Sequence, residues 1–594
     1  MAPMLSTFGS AASRNYGLQL PTGPAPSDAD WDEVALLMKG QIARDGDDNI
    51  TIDDESSSNH TVSTTGSLSQ GSISPFRPDG YSVYFDGAGD EVRFADSANW
   101  HLGISNQAYT IECWVKYTTA NGVISAFGGS GGSWSSGGLQ WHLYWNSDDS
   151  GPRFDWYTGS GETTVGGGTY VLGKWHHVAV AYDGTNTSLF LDGTRVATST
   201  AAYGNMSGTV DKLTIGRMGD GDWDLEGLIS NLRIVKGSYV YDPTSSSVTV
   251  PDRKSLLTDI TNTVLLTCMD NRFIDRSDTV ALNSITGTPK IAHESPIGTA
   301  TAWDPATHAG SYDIAASSYL SASASSDFDV AGGSFTIECW MFDEGHGSSN
   351  LSFFEYGAGG SWANVDYILY TNATTLSYDR FDGGSGNILQ QGTIRLNEWH
   401  HVAVCFDGTN TSLFIDGTRV ATDTTGQNLA GGTPVLYFGN GWDGTGWTGL
   451  LSGMRIVKGT DVYGATNSSI TVPTAPFTAI TNTKLLLNGT NAPIVDAKAS
   501  VNLQMTGDTQ SDTAITKFDL VSALQDGTAD NITPVAPLDA KMIIGVADFC
   551  IEGWFYFDSV AATPRMVDFR PLSTNGLYPG IRLNGANVSY WNDS

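Results

Sequence analysis

The sequence predicts an all-β protein: tandem antiparallel β-sandwich (jelly-roll) domains with a short extended N-terminal segment. The strongest observation is a long repeat. Trp175–Thr198 reads WHHVAVAYDGTNTSLFLDGTRVAT and Trp399–Thr422 reads WHHVAVCFDGTNTSLFIDGTRVAT. Short runs rich in Val, Ile, Thr, Tyr and Trp also alternate with Gly- and Asn-rich turns, which is typical of sandwiches. Asp-Gly pairs between apolar runs, as at 183–184 and 407–408, indicate β-hairpins.

The order of the repeated motifs defines the domains. Ile111–Trp114 recurs as Ile337–Trp340, and Arg233–Gly237 recurs as Arg455–Gly459. The period of roughly 220 to 230 residues far exceeds that of a solenoid, so each unit is a whole domain. The predicted opening strands are Val34–Met38, Val264–Leu266 and Leu485–Leu487. The predicted organisation is a docking peptide and linker at 1–30, jelly rolls at 31–260 and 261–480, and an incomplete third at 481–594.

The third unit contains one recognisable core strand, predicted at Ile551-Glu552-Gly553-Trp554. The tandem-histidine block and the Arg-Ile-Val-Lys-Gly block do not follow it. Half a sandwich would leave strand edges bare. We therefore expect the natural chain to continue, or a partner chain to complete this unit.

Composition restricts the partners and the compartment. The net charge of −33 disfavours binding to nucleic acid and to anionic membranes. The five cysteines are odd in number and do not pair within a repeat, which argues against a disulfide framework. The start of the chain lacks a basic and apolar leader, so we expect assembly in a reducing cytoplasm without membrane insertion. Met1–Leu18, with Phe8, Arg14 and Tyr16, is predicted to be a docking peptide; the alternative is a disordered tail.

The ordered motifs resemble a known family. A Tyr84–Gly87 strand precedes Thr110–Trp114, then come the Trp175-His176-His177 strand, the Leu191–Gly193 hairpin and the closing Gly227–Ile234 strand. This order is similar to laminin-G-like jelly-roll domains of the concanavalin A-like lectin and glucanase superfamily. Tandem modules of this kind resemble virion proteins of marine bacteriophages. The resemblance implies a head or tail appendage that contacts other virion proteins through its N-terminus, adheres to a host-surface glycan, and forms homotrimers by analogy.

Tryptophans in polar loops are the predicted carbohydrate contacts. Trp134 and Trp362 follow equivalent Gly-Gly-Ser runs, and Trp223 and Trp442 precede the closing strand. Sugar C–H faces stack on aromatic rings while neighbouring polar groups bind the hydroxyls. The alternative is that each ring caps the sandwich or packs on the next domain.

Calcium is the one expected cofactor, because hard cations take oxygen ligands. The predicted ligands are Asp86 and Asp90 in one loop and Asp220 and Asp222 in another. The second unit does not repeat the first of these loops.

Other polar residues favour structural roles. Glu112, Glu338 and Glu552 recur in all three units and are predicted to bond neighbouring strands, with sugar binding as the alternative. Adjacent histidines such as His176 and His177 point to opposite faces of a strand and cannot share one metal ion. The acidic run Asp222–Glu226 is the nearest match to glucanase catalytic acids, but its first acid differs and the second unit lacks it.

Three functions therefore remain: a host-glycan adhesin, a non-binding decoration or spacer of a virus particle, and a polysaccharide-degrading enzyme. The sequence favours the first two, and no enzymatic activity is expected. Fold alone does not choose between them.

Overall fold

The computed structural model describes two complete sandwiches and parts of the flanking chain. The described residues are 38–40, 62–65, 69–71, 81–128, 138–204, 212–218, 223–251, 256–273, 276–277, 282–286, 290–292, 305–314, 318–345, 350–358, 364–381, 386–424, 434–441, 446–490, 494–496, 503–506, 510–512, 522–525, 531–534, 550–557, 564–569, 579–584 and 587–592.

The first sandwich, module 1, follows three short strands in the chain. The leading strands are β1 (Met38–Gly40), β2 (Val62–Thr65) and β3 (Ser69–Gly71). The strands of module 1 are β4 (Ser82–Asp86), β5 (Glu91–Ala95), β6 (Tyr109–Tyr117), β7 (Gly122–Gly128), β8 (Leu139–Trp145), β9 (Pro152–Tyr157), β10 (Glu162–Gly166), β11 (His176–Tyr182), β12 (Thr187–Leu191), β13 (Thr194–Ser199), β14 (Lys212–Ile215), β15 (Glu226–Lys236), β16 (Thr263–Thr267), β17 (Leu282–Thr286) and β18 (Lys290–Ala292).

The second sandwich, module 2, repeats this order. Its strands are β19 (Ser311–Ile314), β20 (Tyr319–Ala322), β21 (Phe335–Asp343), β22 (Asn350–Gly357), β23 (Val365–Asn372), β24 (Thr375–Phe381), β25 (Gly386–Thr393), β26 (Trp399–Phe406), β27 (Thr411–Ile415), β28 (Thr418–Asp423), β29 (Val435–Phe438), β30 (Gly449–Lys458) and β31 (Thr483–Leu487). The remaining strands are β32 (Ile494–Asp496), β33 (Leu503–Thr506), β34 (Gln510–Asp512), β35 (Ser522–Leu524), β36 (Asn531–Pro534), β37 (Arg565–Asp568), β38 (Pro579–Asn584) and β39 (Asn587–Asn592).

Each module consists of two sheets that we name A and B. In module 1, sheet A has the order β13-β12-β11-β6-β15-β4-β18, with β16 also paired to β15, and sheet B has the order β10-β9-β8-β7-β14-β5-β17. Module 2 repeats both orders, with β3 and β2 in the places of β18 and β17, and its sheet A continues beyond β3 with β33 and β36. The predicted all-β, antiparallel, tandem-sandwich fold is confirmed.

The core lies between the two sheets of each module. On β6, Ile111, Cys113 and Val115 all enter the apolar cluster of module 1 and are fully buried. Period-two alternation directs these three side chains to one face of sheet A and their neighbours to the other. Sheet B contributes Trp141 and Trp156 from its facing strands. All five cysteines are free thiols, and four of them are buried.

A buried acid-centred cluster lies on the outer face of sheet A in both modules. In module 1, Glu112 Oε1 accepts hydrogen bonds from Arg233 Nε (3.0 Å) and Nη2 (2.6 Å). Glu112 Oε2 accepts the Tyr241 hydroxyl (2.6 Å) and lies 3.2 Å from His177 Nε2. The cluster therefore joins β6, β11, β15 and the segment after β15.

Module 2 has the same cluster in Glu338, Arg455, Tyr463 and His401. Glu338 Oε1 receives Arg455 Nε at 2.8 Å and Nη2 at 2.6 Å, and Oε2 receives the Tyr463 hydroxyl at 2.6 Å. Burial by itself raises the pKa of Glu338, but the hydrogen bond from His401 and the charge of Arg455 bring that pKa below its ordinary value. The structural role predicted for Glu112 and Glu338 is confirmed.

The histidine pairs divide between the two faces of the strand, as predicted. His176 Nδ1 lies 2.7 Å from Asp192 Oδ2, and its Nε2 accepts the Val171 amide at 3.0 Å. His177 instead contacts Glu112. The two rings share no partner, so each histidine fastens a different part of the module.

The sheets extend beyond the predicted unit boundaries. Val264–Leu266 was predicted to open the second unit, but β16 pairs with β15 of module 1. Likewise β31 pairs with β30 of module 2. The physical reason is that β4 and β19 pair with only the first part of β15 and β30. The next apolar run in the chain pairs with the remaining part of the same strand edge.

The predicted core strand of the third unit does not form. Residues 551–557 have no strand assignment, and Trp554 is 68% exposed. In modules 1 and 2 the equivalent strand lies between a tandem-histidine strand and the closing strand.

The modules contact each other through the loop after β16. The Phe273 amide donates to Glu398 Oε2 (2.6 Å), and the Trp399 amide donates to the Asn271 carbonyl (3.0 Å). Arg272 forms an ion pair with Asp416 at 3.3 Å. These bonds fasten the loop of module 1 to the start of β26 in module 2.

Helices are minor in the described part of the chain. They comprise a four-residue α-helix, α1 (Pro305–His308), and 3-10 turns such as Ala98–Trp100. None of the helices among the described residues has the length and apolar composition that crossing a bilayer requires.

We predict that Glu338→Gln lowers the free energy of unfolding of module 2 by about 3–5 kcal/mol, because it leaves the buried Arg455 charge uncompensated. Glu112→Gln should do the same to module 1. Urea unfolding followed by tryptophan fluorescence provides the measurement. Asp149→Asn is the control, because it removes a partly exposed ion pair with Arg153 and should cost less than about 1 kcal/mol. If Glu338→Gln lowers the free energy of unfolding as little as the control does, the buried cluster does not stabilise module 2 and the prediction is wrong.

Candidate functional site

The outer face of sheet A is closed by the chain itself. Ala179, Ala181 and Phe190 on this face pack against Tyr241 in the segment that follows β15. The equivalent residues Ala403, Cys405 and Phe414 pack with Ala465 in module 2. The outer face of sheet B has no such cover from the described crossover segment, so it is the face to examine for a site.

Trp223 lies over the outer face of sheet B in module 1. Its ring meets the Tyr144 ring edge to face, with centroids 5.5 Å apart and planes at 89°. It packs on a small apolar cluster that includes Val123, Leu139 and Met218, and it remains half-buried. Its backbone has φ 64, and its carbonyl accepts the Val123 amide at 3.0 Å. The left-handed conformation is costly for a bulky residue. The contacts with Tyr144 and the apolar cluster fix the position of this ring.

A polar triad lies beside this tryptophan. Asp155 Oδ2 accepts the Tyr144 hydroxyl (2.9 Å) and lies 3.1 Å from His142 Nε2. His142 and Asp155 are directly paired across β8 and β9, which explains how residues thirteen apart meet. Burial raises the pKa of Asp155, but the hydrogen bond and charge of His142 outweigh that effect and keep the pKa below its ordinary value. Asp155 is therefore a fixed carboxylate.

Arg153 borders the triad on the solvent side. Its guanidinium carbon lies 5.6 Å from the centre of the Tyr144 ring, and its Nη1 donates to Asp149 at 2.9 Å. Trp223 and Arg153 thus flank Tyr144 with an aromatic ring and a cation. We name Trp223, Tyr144, His142, Asp155 and Arg153 the aromatic shelf.

Most of the predicted site residues cannot be compared with this geometry. Trp134, Trp362, Trp442, Asp220, Asp222 and the docking residues Phe8, Arg14 and Tyr16 lie outside the described residues. Of the predicted set, Trp223, Asp86 and Asp90 are described.

The two described aspartates of the predicted calcium site belong to a self-contained turn. Asp90 Oδ2 accepts the Asp86 amide at 2.9 Å, and Asp86 Oδ1 accepts the Ala88 amide at 2.8 Å. Among the described residues, no group of three or more His, Cys, Asp and Glu side chains has the arrangement of a metal site. Both carboxylates thus accept backbone amides of this turn.

Two acids of the run Asp222–Glu226, Asp224 and Glu226, are described. Asp224 Oδ1 lies 2.7 Å from Arg217 Nε in an ion pair. Glu226 begins β15, where it pairs with Asp86 across the sheet. The intervening Leu225 is buried in the core.

Module 2 has a changed version of the shelf. By strand register, Asp379 and Tyr370 take the places of Asp155 and Tyr144, whereas Ile368 replaces His142. Without a histidine partner, burial raises the pKa of Asp379 to about 6. Ile368, Tyr370 and Val365 form a small buried apolar cluster there. The two modules thus differ on this face.

Sequence reasoning identified Trp223 but missed His142, Tyr144 and Asp155. The alternation in Leu139–Trp145 carried the signal, because Trp141, Leu143 and Trp145 enter the core and so direct His142 and Tyr144 to the other face. The partner Asp155 depends on strand pairing, which alternation does not specify.

A family model matches both modules. The laminin G model described as "Concanavalin A-like lectin/glucanases superfamily" matches residues 86–239 and 315–460, which together make up about half of the chain. No curated protein sequence matches the chain significantly.

Solved structures of similar proteins include domains LG4-5 of the mouse laminin alpha1 chain, at 13% identity, covering 66% of this chain and 94% of that chain, with a TM-score of 0.23. The sialidase module CBM40 of Ruminococcus gnavus is 19% identical, covers 28% of this chain and 91% of that chain, and has a TM-score of 0.21. The SAP-like pentraxin of Limulus polyphemus is 16% identical over 26% of this chain and 76% of that chain, with a TM-score of 0.20. At these scores the similarities support no conclusion about this chain.

We predict opposite effects of removing the two equivalent aspartates. The folded-state pKa of Asp379 is raised, so its ionisation opposes folding as pH rises from about 4 to above 6. Asp379→Asn should therefore raise the free energy of unfolding at pH 7.5 by about 1–3 kcal/mol, and this gain should vanish near pH 4. Asp155 has a lowered pKa, so its contribution is present at pH 7.5 and is lost as pH falls through its folded pKa; Asp155→Asn should destabilise at pH 7.5. Urea unfolding at both pH values distinguishes them, and equal signs for the two variants would refute the assignment.

Proposed function

Since the chain belongs to the concanavalin A-like lectin/glucanases superfamily, we propose that it is a carbohydrate-binding adhesin whose module 1 contacts glycan through the aromatic shelf. The observation that carries this proposal is the half-buried Trp223 held over Tyr144 beside Asp155, His142 and Arg153. An aromatic ring next to fixed polar groups is the usual composition of a sugar site.

The electrostatics of the shelf suit a neutral or weakly charged glycan. Asp155 is held as a carboxylate by His142 and Tyr144, and Arg153 is balanced by Asp149. Oxygen acceptors and nitrogen donors are thus both present near Trp223 without an uncompensated charge. The overall charge of −33 would repel strongly acidic polymers.

The proposed setting is a bacteriophage particle. Its support is the resemblance of the tandem modules to virion proteins of marine phages. In this proposal Met1–Leu18, through Phe8, Arg14 and Tyr16, binds other virion proteins, and the chain forms homotrimers. Repeated copies would multiply weak contacts of roughly millimolar affinity each.

The second candidate is a non-binding decoration or spacer. The observation in its favour is the pair of hydrogen bonds between the modules, from the Phe273 amide to Glu398 and from the Trp399 amide to the Asn271 carbonyl. A spacer needs such bonds between its domains because it must transmit force from one to the next. An enzyme that degrades polysaccharide has less support, because Asp224 is engaged by Arg217.

We predict that the full chain binds one or more purified bacterial surface polysaccharides in a glycan array and that Trp223→Ala weakens this binding about tenfold. Loss of one stacking contact of roughly 1.4 kcal/mol accounts for that factor. Isothermal titration with the best polysaccharide gives the dissociation constant. A parallel series in EDTA tests calcium as the cofactor of the proposed site.

Tyr239→Ala is the matched control, because Tyr239 is 46% exposed but follows β15, away from the shelf. Its affinity should equal that of the unchanged chain. If both variants lose the same affinity, or if Trp223→Ala loses none, the aromatic shelf is not the glycan-binding site. The absence of binding to any polysaccharide, even by multimerised protein, would support the spacer, and release of new reducing ends would support the enzyme.

A further inference from the structure

The two sheets of module 1 are joined at one edge by a β-arch, by which we mean two consecutive strands that enter different sheets. β17 pairs with β5 in sheet B, and β18 pairs with β4 in sheet A. This arch follows module 1 in the chain. It covers the exposed edges of both sheets, which would otherwise offer unpaired backbone groups.

Module 2 has the same edge filled by a different part of the chain. β2 pairs with β20, and β3 pairs with β19. This N-terminal arch precedes module 1, so it bypasses the adjacent module to reach module 2. The two arches occupy equivalent edges but come from opposite sides of the modules they cover.

A third segment has the features of both arches. A Thr-Gly pair stands at 65–66, at 286–287 and at 506–507. The first strand ends at that threonine in β2, β17 and β33, and the second strand begins three residues after that glycine in β3, β18 and β34. The strand bounds and the sequence thus agree on one two-strand unit in three copies.

The position of the third arch in the chain matches that of the arch of module 1. From the end of β16 at Thr267 to Gly287, and from the end of β31 at Leu487 to Gly507, the separation is twenty residues in both cases. In module 1 this spacing brings β17 and β18 to the edge. The same spacing is available to β33 and β34 on module 2.

The third arch already lies next to the edge that it would fill. β33 pairs with β3 on the side away from β19, at Gly71 and Gln504. By analogy with β17 and β18, β33 would replace β2 beside β20 and β34 would replace β3 beside β19. The exchange gives up the pairings of β33 with β3 and β36 and of β34 with β35.

We propose that the edge of module 2 formed by β19 and β20 is a docking site for the third arch, residues 503–512, which competes there with the N-terminal arch, residues 62–71. Either arch protects the edge. Module 1 has one arch at the matching spacing. Disrupting one arch should therefore expose the edge of module 1 but leave the edge of module 2 paired.

Proline pairs test this difference. Backbone N–H groups alternate in direction along a strand, so two adjacent prolines remove one ladder donor whichever way the strand faces. The variants are Ser63→Pro/Thr64→Pro in β2, Gln504→Pro/Met505→Pro in β33, their combination, and Ser284→Pro/Ile285→Pro in β17 as the matched control. Hydrogen–deuterium exchange with mass spectrometry reports protection of β4 and β5 and of β19 and β20 separately.

The control variant should reduce protection of β5 about tenfold or more. Each single module 2 pair should reduce protection of β20 less than about threefold, and their combination should match the control. This non-additivity is the signature of two occupants for one edge. If Ser63→Pro/Thr64→Pro alone removes all protection and the second pair adds nothing, the N-terminal arch is the sole occupant and the proposal fails.

Disulfide trapping gives an independent measurement. In a Cys550→Ser background, Ser321→Cys is combined with Ser63→Cys, its observed partner, or with Gln504→Cys, its partner if the third arch docks. Arg93→Cys with Ser284→Cys is the positive control in module 1. The proposal expects intrachain disulfides from both module 2 pairs. Failure of the Gln504 pair while the control forms fully would overturn it.

Discussion

The buried glutamate at the centre of each sheet A is the interaction on which the module depends. Glu112 and Glu338 each hold an arginine, a tyrosine and a histidine that come from separate strands and from the covering segment. A charge this deeply buried is tolerated because every oxygen has donors. Once sheet A is closed in this way, the outer face of sheet B is left as the surface on which the modules can diverge.

The repeat predicted the sandwich fold well because repeated strands with alternating apolar residues leave few other packings. The same alternation correctly separated His176 from His177. The assignment of β16 to a module was harder to predict, because its apolar residues fit the start of the next unit as well as the end of module 1. Pairing partners distant in the chain, such as His142 with Asp155, carry no local signal at all.

The aromatic shelf shows how one fold can support different surfaces. Between the modules, His142 is exchanged for Ile368 at the same register position, and the neighbouring aspartate changes from a carboxylate held ionised to one with a pKa of about 6. The backbone remains the same while the chemistry of the face changes. Divergence at the shelf with near-identity in the tandem-histidine strand is the pattern expected where the scaffold is fixed and the recognition surface is not.

Because β16 completes module 1 although it begins the next repeat, the unit of duplication and the unit of folding are out of phase. A recombination event at the repeat boundary would add a segment that both closes the preceding sandwich and starts another. Such an array can lengthen by whole repeats without passing through an intermediate with an open sheet. The pairing of β16 with module 1 thereby allows the number of modules to vary easily. It also means that a fragment ending at Thr261 would lack β16.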